Sequence, residues 1–309
     1  MNIFIASSID PDTIEKLQEE HQLVCAFNET PERLQELVQD SELIIFRSGV
    51  SITADLMECA PNLKWLIRAG SGLDNLDVDY VRRRGLELTR IPGPGAKAVS
   101  EMSFAFMLAL SRRLFEADLS MREGRWAKRE LVGSLLRDKV LGIIGVGNIG
   151  SEVAALGVAW GMQVIGCVEF PSPERAEQMS KKGIRLTDFE EVISTADYVS
   201  IHVPLKDSTR YMFNANALSK MKPGSFLINL ARGGVVDEQA LFEVLTEGDI
   251  LNGAAVDVHE QEGEGKLSPL ARLTNVILTP HIGAMVSGTQ RQIGEKIQEL
   301  VAEFMTNGK

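Results

Sequence analysis

The hexapeptide Gly145-Val146-Gly147-Asn148-Ile149-Gly150 constrains this chain more than any other stretch. Before it runs Lys139-Val140-Leu141-Gly142-Ile143-Ile144, short and apolar, which reads as a buried strand. After it runs Ser151-Glu152-Val153-Ala154-Ala155-Leu156, which reads as a helix. Glycines at this spacing mean little alone, because glycine is common in turns. Between a strand and a helix they meet three separate demands. The first permits a tight turn, the second lets backbone approach a pyrophosphate, and the third lets helix pack close on strand. The helix N-terminus then offers unpaired N–H groups and a positive dipole end to the phosphates. The pattern predicts a dinucleotide-binding unit of parallel strands and crossover helices.

Length and charge narrow the rest. At 309 residues the chain exceeds the size at which single cores stop growing, so two domains are expected. No apolar run reaches the roughly 18 residues of a membrane-spanning helix, so no membrane partner is expected. The stretch Met1-Asn2-Ile3-Phe4-Ile5-Ala6 lacks a basic leader region and reads as a first strand. Cys25, Cys59 and Cys167 are far apart and odd in number, which fits neither a zinc site nor a disulfide framework. No metal is expected, and a reducing cytoplasm is the expected compartment. The formal net charge of −11, with no basic face in the sequence, argues against a nucleic-acid partner. An anionic substrate would need local arginines to overcome that overall negative field.

Taken in order, the first hundred residues alternate strand and helix patterns. Strands are expected at 2–6, 22–27, 42–46, 63–67 and 86–89, with helices at 11–20, 31–39, 53–59 and 78–84. Arg90-Ile91-Pro92-Gly93-Pro94-Gly95 reads as a linker, since its prolines and glycines suit neither a helix nor a central strand. A long apolar helix is expected at 96–114, its buried faces suited to an interdomain or intersubunit place. Residues 115–137 are charged, with Trp126 among arginines, and read as an arm over a partner surface or as a solvated helix. From Asp138 the alternation resumes, with strands after the glycine loop at 163–168, 184–186, 196–201, 225–230, 250–256 and 276–278. That count suits a doubly wound nucleotide domain. An amphipathic helix at 288–305 closes the chain and packs most economically on the first domain. The expected fold is α/β, with two doubly wound parallel-sheet domains. A nucleotide-binding domain at 96–285 is inserted into a discontinuous domain of 1–95 and 286–309.

Open α/β sheets bind ligands at the carboxyl ends of their strands. The second strand of the nucleotide unit ends Cys167-Val168-Glu169, about 20 residues past the glycine loop, where an acid meets the ribose hydroxyls. A carboxylate there accepts from a free 2′-hydroxyl and repels a 2′-phosphate, so Glu169 favours NAD over NADP. Its plain alternative is a surface glutamate at a strand end. Arg232 follows Phe226-Leu227-Ile228-Asn229-Leu230-Ala231, Asp257 ends Gly253-Ala254-Ala255-Val256, and His281 follows Ile277-Leu278-Thr279-Pro280. Glu262 lies in the loop after Asp257, with Glu260 and Glu264 beside it. Hydride transfer to a 2-keto acid needs a cation for the carboxylate and ketone, an acid titrating near neutrality, and a carboxylate to orient that acid. Arginine, histidine and glutamate supply these. A carboxylate facing a histidine also favours its protonated form, which reduction requires. Singly, each residue has a structural reading: a strand-end histidine, a helix-capping arginine, a glutamate in an acidic loop. Their shared placement after apolar strands of one sheet favours the catalytic one. His202, also at a strand end, reads as structural or cofactor-lining, and His21 and His259 as structural.

Over nearly its full length the chain resembles the D-isomer-specific 2-hydroxyacid dehydrogenase family. The stretches that carry the resemblance are Arg68-Ala69-Gly70-Ser71-Gly72-Leu73-Asp74-Asn75, the glycine loop, Ala231-Arg232-Gly233-Gly234-Val235-Val236-Asp237-Glu238, Ala255-Val256-Asp257-Val258 and Thr279-Pro280-His281-Ile282-Gly283-Ala284. The resemblance implies a Rossmann NAD domain inserted into a flavodoxin-like substrate domain, and a homodimer formed through the NAD domain. It implies NAD as cofactor and a small anionic 2-hydroxy or 2-keto acid as substrate. Arg232 is then the contact to the substrate carboxylate and carbonyl, His281 the acid–base group and Glu262 its partner. The family's glutamate falls five residues after the strand-end aspartate, which selects Glu262 over its acidic neighbours. Gly145, Gly147, Asn148, Ile149, Gly150, Val168, Glu169, Val203, Leu230, Asp257, Gly283 and Ala284 fall on positions that line the cofactor.

Within the family the chain is most similar to the 3-phosphoglycerate dehydrogenases. Arg47, followed by Ser48, and Arg68 fall where arginines face the substrate's phosphate end, and the backbone around Ser71-Gly72 would hold its carboxylate. Two guanidiniums near one pocket suit a dianion. Arg129 is a weaker candidate for reaching a neighbour's site. The expected reaction interconverts 3-phosphoglycerate and 3-phosphohydroxypyruvate, a step of serine biosynthesis. The second reading is a reductase of glyoxylate, hydroxypyruvate or another small 2-keto acid, with Arg47 and Arg68 structural. A dinucleotide-sensing, corepressor-like binding protein is the reading from another class. Formate oxidation would leave both arginines without a phosphate to meet. Two departures stand out. The family's ribose-binding acid aligns with Val168, not Glu169. The chain also ends soon after its closing helix, so a regulatory domain and serine feedback through it are not expected.

Overall fold

The computed structural model describes residues 1–306; positions 307–309, part of the expected 286–309 segment, lie outside the described residues. The chain divides into two compact units. Unit 1 is Met1–Gly95 with the segment from Ala284 on, and unit 2 is Ala96–Gly283. The second boundary thus falls two residues before the position expected from sequence.

Unit 1 is built on five parallel strands: β1 (Asn2–Ile5), β2 (Gln22–Cys25), β3 (Leu43–Phe46), β4 (Trp65–Arg68) and β5 (Glu87–Arg90). Their order in the sheet is β2-β1-β3-β4-β5. The winding reverses between β1 and β3, which is the flavodoxin-like switch point. Every residue of β3 and β4 is buried, as expected of central parallel strands covered on both faces. The crossover helices start where side chains can serve their orphan amides. Asp10, Thr30, Thr53 and Asp77 each accept from the backbone N–H three residues on. The closing helix Ser287–Thr306 belongs to this unit. It lies along the helix Pro11–Glu20, where Gln298 Nε2 donates to Thr13 Oγ1 at 3.2 Å, and Phe304 stacks on Trp65 with ring centroids 4.7 Å apart.

One expectation needs correction. The glycine–proline stretch is not wholly a linker, because a helix runs from Gly93 to Ser111. Pro94 sits in its first turn, where a missing N–H costs no hydrogen bond.

Unit 2 holds seven parallel strands: β6 (Val140–Ile144), β7 (Gln163–Cys167), β8 (Ile184–Leu186), β9 (Tyr198–Ile201), β10 (Ser225–Asn229), β11 (Leu251–Val256) and β12 (Val276–Leu278). The order β12-β11-β10-β9-β6-β7-β8 is the Rossmann winding, with its reversal between β6 and β9. Apolar residues of β9, β10 and β11 pack with the helix Glu238–Glu247 into the larger core of this unit. Between the helix Leu114–Arg122 and β6 the chain is irregular and leaves Trp126, Val132 and Leu135 exposed.

Candidate active site

The glycine loop leaves β6 beside the switch point of unit 2 and enters the helix Asn148–Ala159, with Gly147 as N-cap. Gly145 holds φ +95°, and a Cβ there would stand 2.7 Å from the His202 carbonyl oxygen. A Cβ on Gly150 would stand 2.2 Å from the Gly145 carbonyl oxygen, so helix and loop touch backbone to backbone. Around Gly147, by contrast, a Cβ would meet nothing within 4 Å. The middle glycine therefore faces open space at a helix N-terminus, which is the cradle a pyrophosphate needs. The amides of Gly145 and Val146 are used internally, both donating to the Cys167 carbonyl at 3.1 and 3.3 Å. Those of Asn148 and Ile149, in the first helical turn, have no acceptor behind them in the helix. These residues fit a dinucleotide. Val203, half-buried after β9, and Leu230, buried after β10, stand at neighbouring strand ends.

At the end of β7 the expected ribose acid is otherwise engaged. Val168 is half-buried, and the exposed Glu169 carboxylate pairs with Lys206 Nζ at 2.9 Å. Lys206 lies 37 residues further along, in the loop after β9, and sequence reasoning did not find it.

His281 and Glu262 meet. His281 Nδ1 lies 3.0 Å from Glu262 Oε2 and 3.1 Å from Oε1. With a carboxylate at that distance Nδ1 carries the proton, leaving Nε2 as the working nitrogen. Burial pushes the Glu262 carboxyl up. The hydrogen bond and charge of His281, the His259 amide and the His259 ring outweigh it, and hold Glu262 below the usual carboxylate range. His281 takes φ +55°, rare outside glycine.

The turn that carries His281 is fixed by Asp257, which is 1% exposed. Its Oδ1 accepts from the Ile282 amide at 2.9 Å and the Thr279 hydroxyl at 2.6 Å, and its Oδ2 from the Gly283 amide at 2.8 Å. Its carbonyl accepts from the His281 amide at 2.7 Å. Both Asp257 carboxylate oxygens accept from the turn between Thr279 and Gly283, which places that turn at the strand end where Asp257 is expected to line the cofactor. Gly283 is buried in that turn, whereas Ala284 belongs to unit 1, where its carbonyl accepts from Gln290 at 2.8 Å.

The loop that carries Glu262 is clasped to the helix Glu238–Glu247. The Glu238 amide donates to Glu260 Oε1 at 2.9 Å, and the Glu260 amide donates back to Glu238 Oε1 at 2.7 Å. The buried Glu238 also accepts from the Ser268 hydroxyl at 2.5 Å. His259 Nε2 lies 2.9 Å from the Thr279 carbonyl oxygen, tying this loop to the one that bears His281.

Arg232 leaves β10 half-buried, with Nη1 donating to the Ala231 carbonyl at 2.6 Å. Asn229 holds this corner: its Oδ1 accepts from the Ala231 amide at 3.0 Å and its Nδ2 donates to the Arg232 carbonyl at 3.2 Å. The strand ends of one sheet thus carry a cation, an imidazole with its carboxylate, and a phosphate cradle. Among the described residues no grouping of His, Cys, Asp and Glu could hold a metal.

Unit 1 has its own polar group at the switch point between β1 and β3. Arg47 follows β3, and its amide donates to the Ser7 hydroxyl after β1 at 3.0 Å. Its guanidinium is poorly served. Among the described residues Nη1 reaches only the Ser8 carbonyl at 3.4 Å and the Met285 sulfur at 3.3 Å, and the buried Nε has no partner. Burial lowers its pKa from the ordinary arginine value. Ser48 is exposed beside it. Arg68 is more deeply placed than Arg47. It is 4% exposed, lies over the Phe46 ring, and its Nε donates to the Gly72 carbonyl at 2.8 Å. A buried guanidinium saturates itself on the nearest carbonyls, so Arg68 shapes the loop bearing Ser71 and Gly72. Ser71 is exposed and Gly72 half-buried.

Comparison with known proteins places this geometry. Residues 104–283 match the family described as D-isomer specific 2-hydroxyacid dehydrogenase, NAD binding domain. A hydroxypyruvate reductase of Thermotoga maritima is 34% identical over 97% of this chain and 96% of its own length. A D-3-phosphoglycerate dehydrogenase of Methanocaldococcus jannaschii is 36% identical over 99% of this chain, which spans only 57% of that protein. Among solved structures, D-lactate dehydrogenase from Aquifex aeolicus, complexed with NAD and lactic acid, superposes with a TM-score of 0.87 at 29% identity, covering 99% of this chain and 96% of that one.

Proposed function

The chain belongs to the D-isomer-specific 2-hydroxyacid dehydrogenase family, whose dinucleotide is NAD, and from that membership we propose that it interconverts 3-phosphoglycerate and 3-phosphohydroxypyruvate. The observation that supports this substrate is Arg47. A partly buried guanidinium, with its buried Nε unpartnered among the described residues and its Nη1 on a long carbonyl contact and a sulfur, is a cation suited to an anion. A phosphate supplies that anion and matches the guanidinium's planar fork.

The glycine loop at Gly145–Gly150 would hold NAD(H), which when bound would supply the hydride for C2 of the keto acid in the direction of reduction. Arg232 holds the substrate carboxylate and polarises the carbonyl. His281, with Nδ1–H turned to Glu262, gives a proton from Nε2 to the forming alkoxide. The Glu262 carboxylate accepts from Nδ1–H and so fixes Nε2 as the nitrogen free for that transfer. In oxidation Nε2 takes the hydroxyl proton instead.

Arg68 favours a second reading. With its guanidinium buried on its own loop, one arginine remains in unit 1 where a dianion is expected to use two. Unphosphorylated hydroxypyruvate would then be the substrate, as the name of the Thermotoga relative suggests. The discriminating experiment compares NADH-dependent reduction of 3-phosphohydroxypyruvate and hydroxypyruvate by the wild type and by Arg47→Ala. A preference for the phosphorylated acid is expected. Charge-assisted contacts are worth about 1.5–3 kcal/mol, so Arg47→Ala should cut it by roughly tenfold or more. Equal or reversed preference in the wild type transfers the assignment to the second reading.

We also read the chain as a homodimer formed through unit 2. The support is the apolar surface of residues 114–135, where Phe115, Trp126, Val132 and Leu135 are all more than half exposed.

A further inference from the structure

We propose that the nucleotide site of this chain carries a 2′-phosphate subsite, built from Arg175 and Lys206, and that it takes NADP(H) as well as NAD(H). The proposal rests on the dinucleotide reading of the glycine loop, not on the choice of hydroxy acid.

In a Rossmann site the end of the second strand decides between the two dinucleotides. A carboxylate there accepts from the ribose 2′-hydroxyl and repels a phosphate, whereas a nearby arginine accommodates the phosphate. This chain has no carboxylate on the strand end itself, because β7 runs out into Val168. The next residue, Glu169, has its charge offset by Lys206 at 2.9 Å, with both side chains about half exposed. An exposed pair of this kind contributes little, about 0–1 kcal/mol. A phosphate carrying nearly two negative charges would compete for the lysine on favourable terms.

The second cation is Arg175, in the first turn of the helix Pro173–Ser180 that follows β7. Its Nη2 donates to the Val146 carbonyl at 2.8 Å, which plants the guanidinium against the glycine loop. Its buried Nε has no partner. An arginine has five N–H donors, and among the described residues only Nη2 of Arg175 is used. Ser172 fixes the start of this helix, its hydroxyl accepting from the Arg175 amide at 3.2 Å. Lys206 and Arg175 therefore stand with Glu169 about this strand end, with Asp188 close enough to act on Cys167, where an NAD-restricted site presents an uncompensated acid at the strand end itself. An arginine held against the glycine loop through Nη2, with its Nε unpartnered among the described residues, is the feature a 2′-phosphate would satisfy.

The test measures binding of adenosine fragments by calorimetry, so it reads the subsite without turnover and without a hydroxy acid. The probes are 2′,5′-ADP and 5′-AMP, which differ only in the 2′-phosphate. The wild type is expected to bind 2′,5′-ADP at least as tightly as 5′-AMP. Arg175→Ala should weaken 2′,5′-ADP by about tenfold or more and leave 5′-AMP within about twofold. Lys206→Ala should do the same to a lesser degree. The 5′-AMP measurement reports whether the glycine loop survives the loss of the Val146 contact. If Arg175→Ala weakens both fragments equally, Arg175→Lys decides, because it keeps the charge and loses the fork. A wild type that binds 5′-AMP more than tenfold better than 2′,5′-ADP overturns the proposal, as does an Arg175→Lys variant that changes both affinities alike.

Discussion

The backbone N–H of His281 donates to the carbonyl of Asp257 at 2.7 Å, and the Asp257 carboxylate grips the same turn on both sides of that residue. A histidine at φ +55° is in a region that costs about 1–3 kcal/mol unless its surroundings impose it. Here the hydroxyl of Thr279 and the amides of Ile282 and Gly283 all end on one buried carboxylate, so the turn has little freedom to relax.

It follows that Asp257 positions His281 by fixing this turn. Asp257→Ala leaves three donors unsatisfied in a buried place, at about 1–3 kcal/mol for each. That loss alone is enough to lower activity through instability, so Asp257→Asn is the informative change: it keeps the volume and removes the charge and one acceptor. A lowered denaturation midpoint and a fall of at least tenfold in kcat/KM are expected. The check is urea unfolding beside steady-state kinetics, and wild-type values for both would refute this role.

Glu262→Gln tests the carboxylate that faces the imidazole. The wild-type carboxyl sits below its ordinary range in the folded protein. A depressed acid stabilises the fold above its unfolded pKa of about 4.3, and that contribution is lost as pH falls through the folded value. The stability gap between wild type and Glu262→Gln should therefore be present at neutral pH and close in acid. For keto-acid reduction, kcat/KM should fall by about tenfold or more, because Nδ1–H loses the carboxylate that orients the ring. A wild-type kcat/KM would separate Glu262 from proton transfer.

How much of this was legible in the sequence depends on the range of the interaction. The strands of both sheets are apolar runs bounded by turn residues, and local pattern locates them. The glycine loop, His281 and Arg232 lie within a few residues of strand ends, so topology carries them to one edge of one sheet. Glu262 was separable from Glu260 and Glu264 only by resemblance. The Glu238–Glu260 clasp depends on how a loop folds back over a helix start, which no local pattern encodes. Arg68 shows the same limit at one side chain. Its position at the end of β4 is set by the strand, but its turn back onto the Gly72 carbonyl is a rotamer choice made by burial. Asp257 is legible as a strand-end residue, but its grip on the turn after β12 is not, because that turn comes some twenty residues later in the chain.

His202 carries a prediction about stability that is independent of catalysis. Its Nε2 lies 2.8 Å from the Ser200 hydroxyl, and its Nδ1 is buried with no partner. Burial pushes its pKa down to about 3. In the unfolded chain a histidine titrates near 6.5. Between these values the unfolded state binds the extra proton, so stability is full above about pH 6.5 and falls as the pH drops toward 3, by at most about 1.4 kcal/mol per pH unit. His202→Asn should flatten this part of the stability–pH curve, measured by urea unfolding from pH 7 to pH 4. A variant whose curve parallels the wild type would show that the ring is not held neutral.

The last prediction concerns the segment between the helix Leu114–Arg122 and β6. Trp126 is 78% exposed, Val132 77% and Leu135 71%, and Phe115 and Leu119 on the neighbouring helix are more than half exposed. Single exposed apolar residues are ordinary, but this many large ones within some twenty positions form a surface that monomers rarely leave uncovered. A second copy of the same chain covers it most simply, because a two-fold axis buries the same patch on both partners. Sedimentation velocity of the wild type should then give twice the chain mass of 33.9 kDa. Trp126→Asp combined with Leu135→Asp places charges in the interface core, where an unpaired one is strongly unfavourable, and should give a folded species at the single-chain mass. Both positions are exposed in the single chain, so its unfolding midpoint should change little. A wild type that sediments as a monomer at micromolar concentration would leave this surface to some other partner.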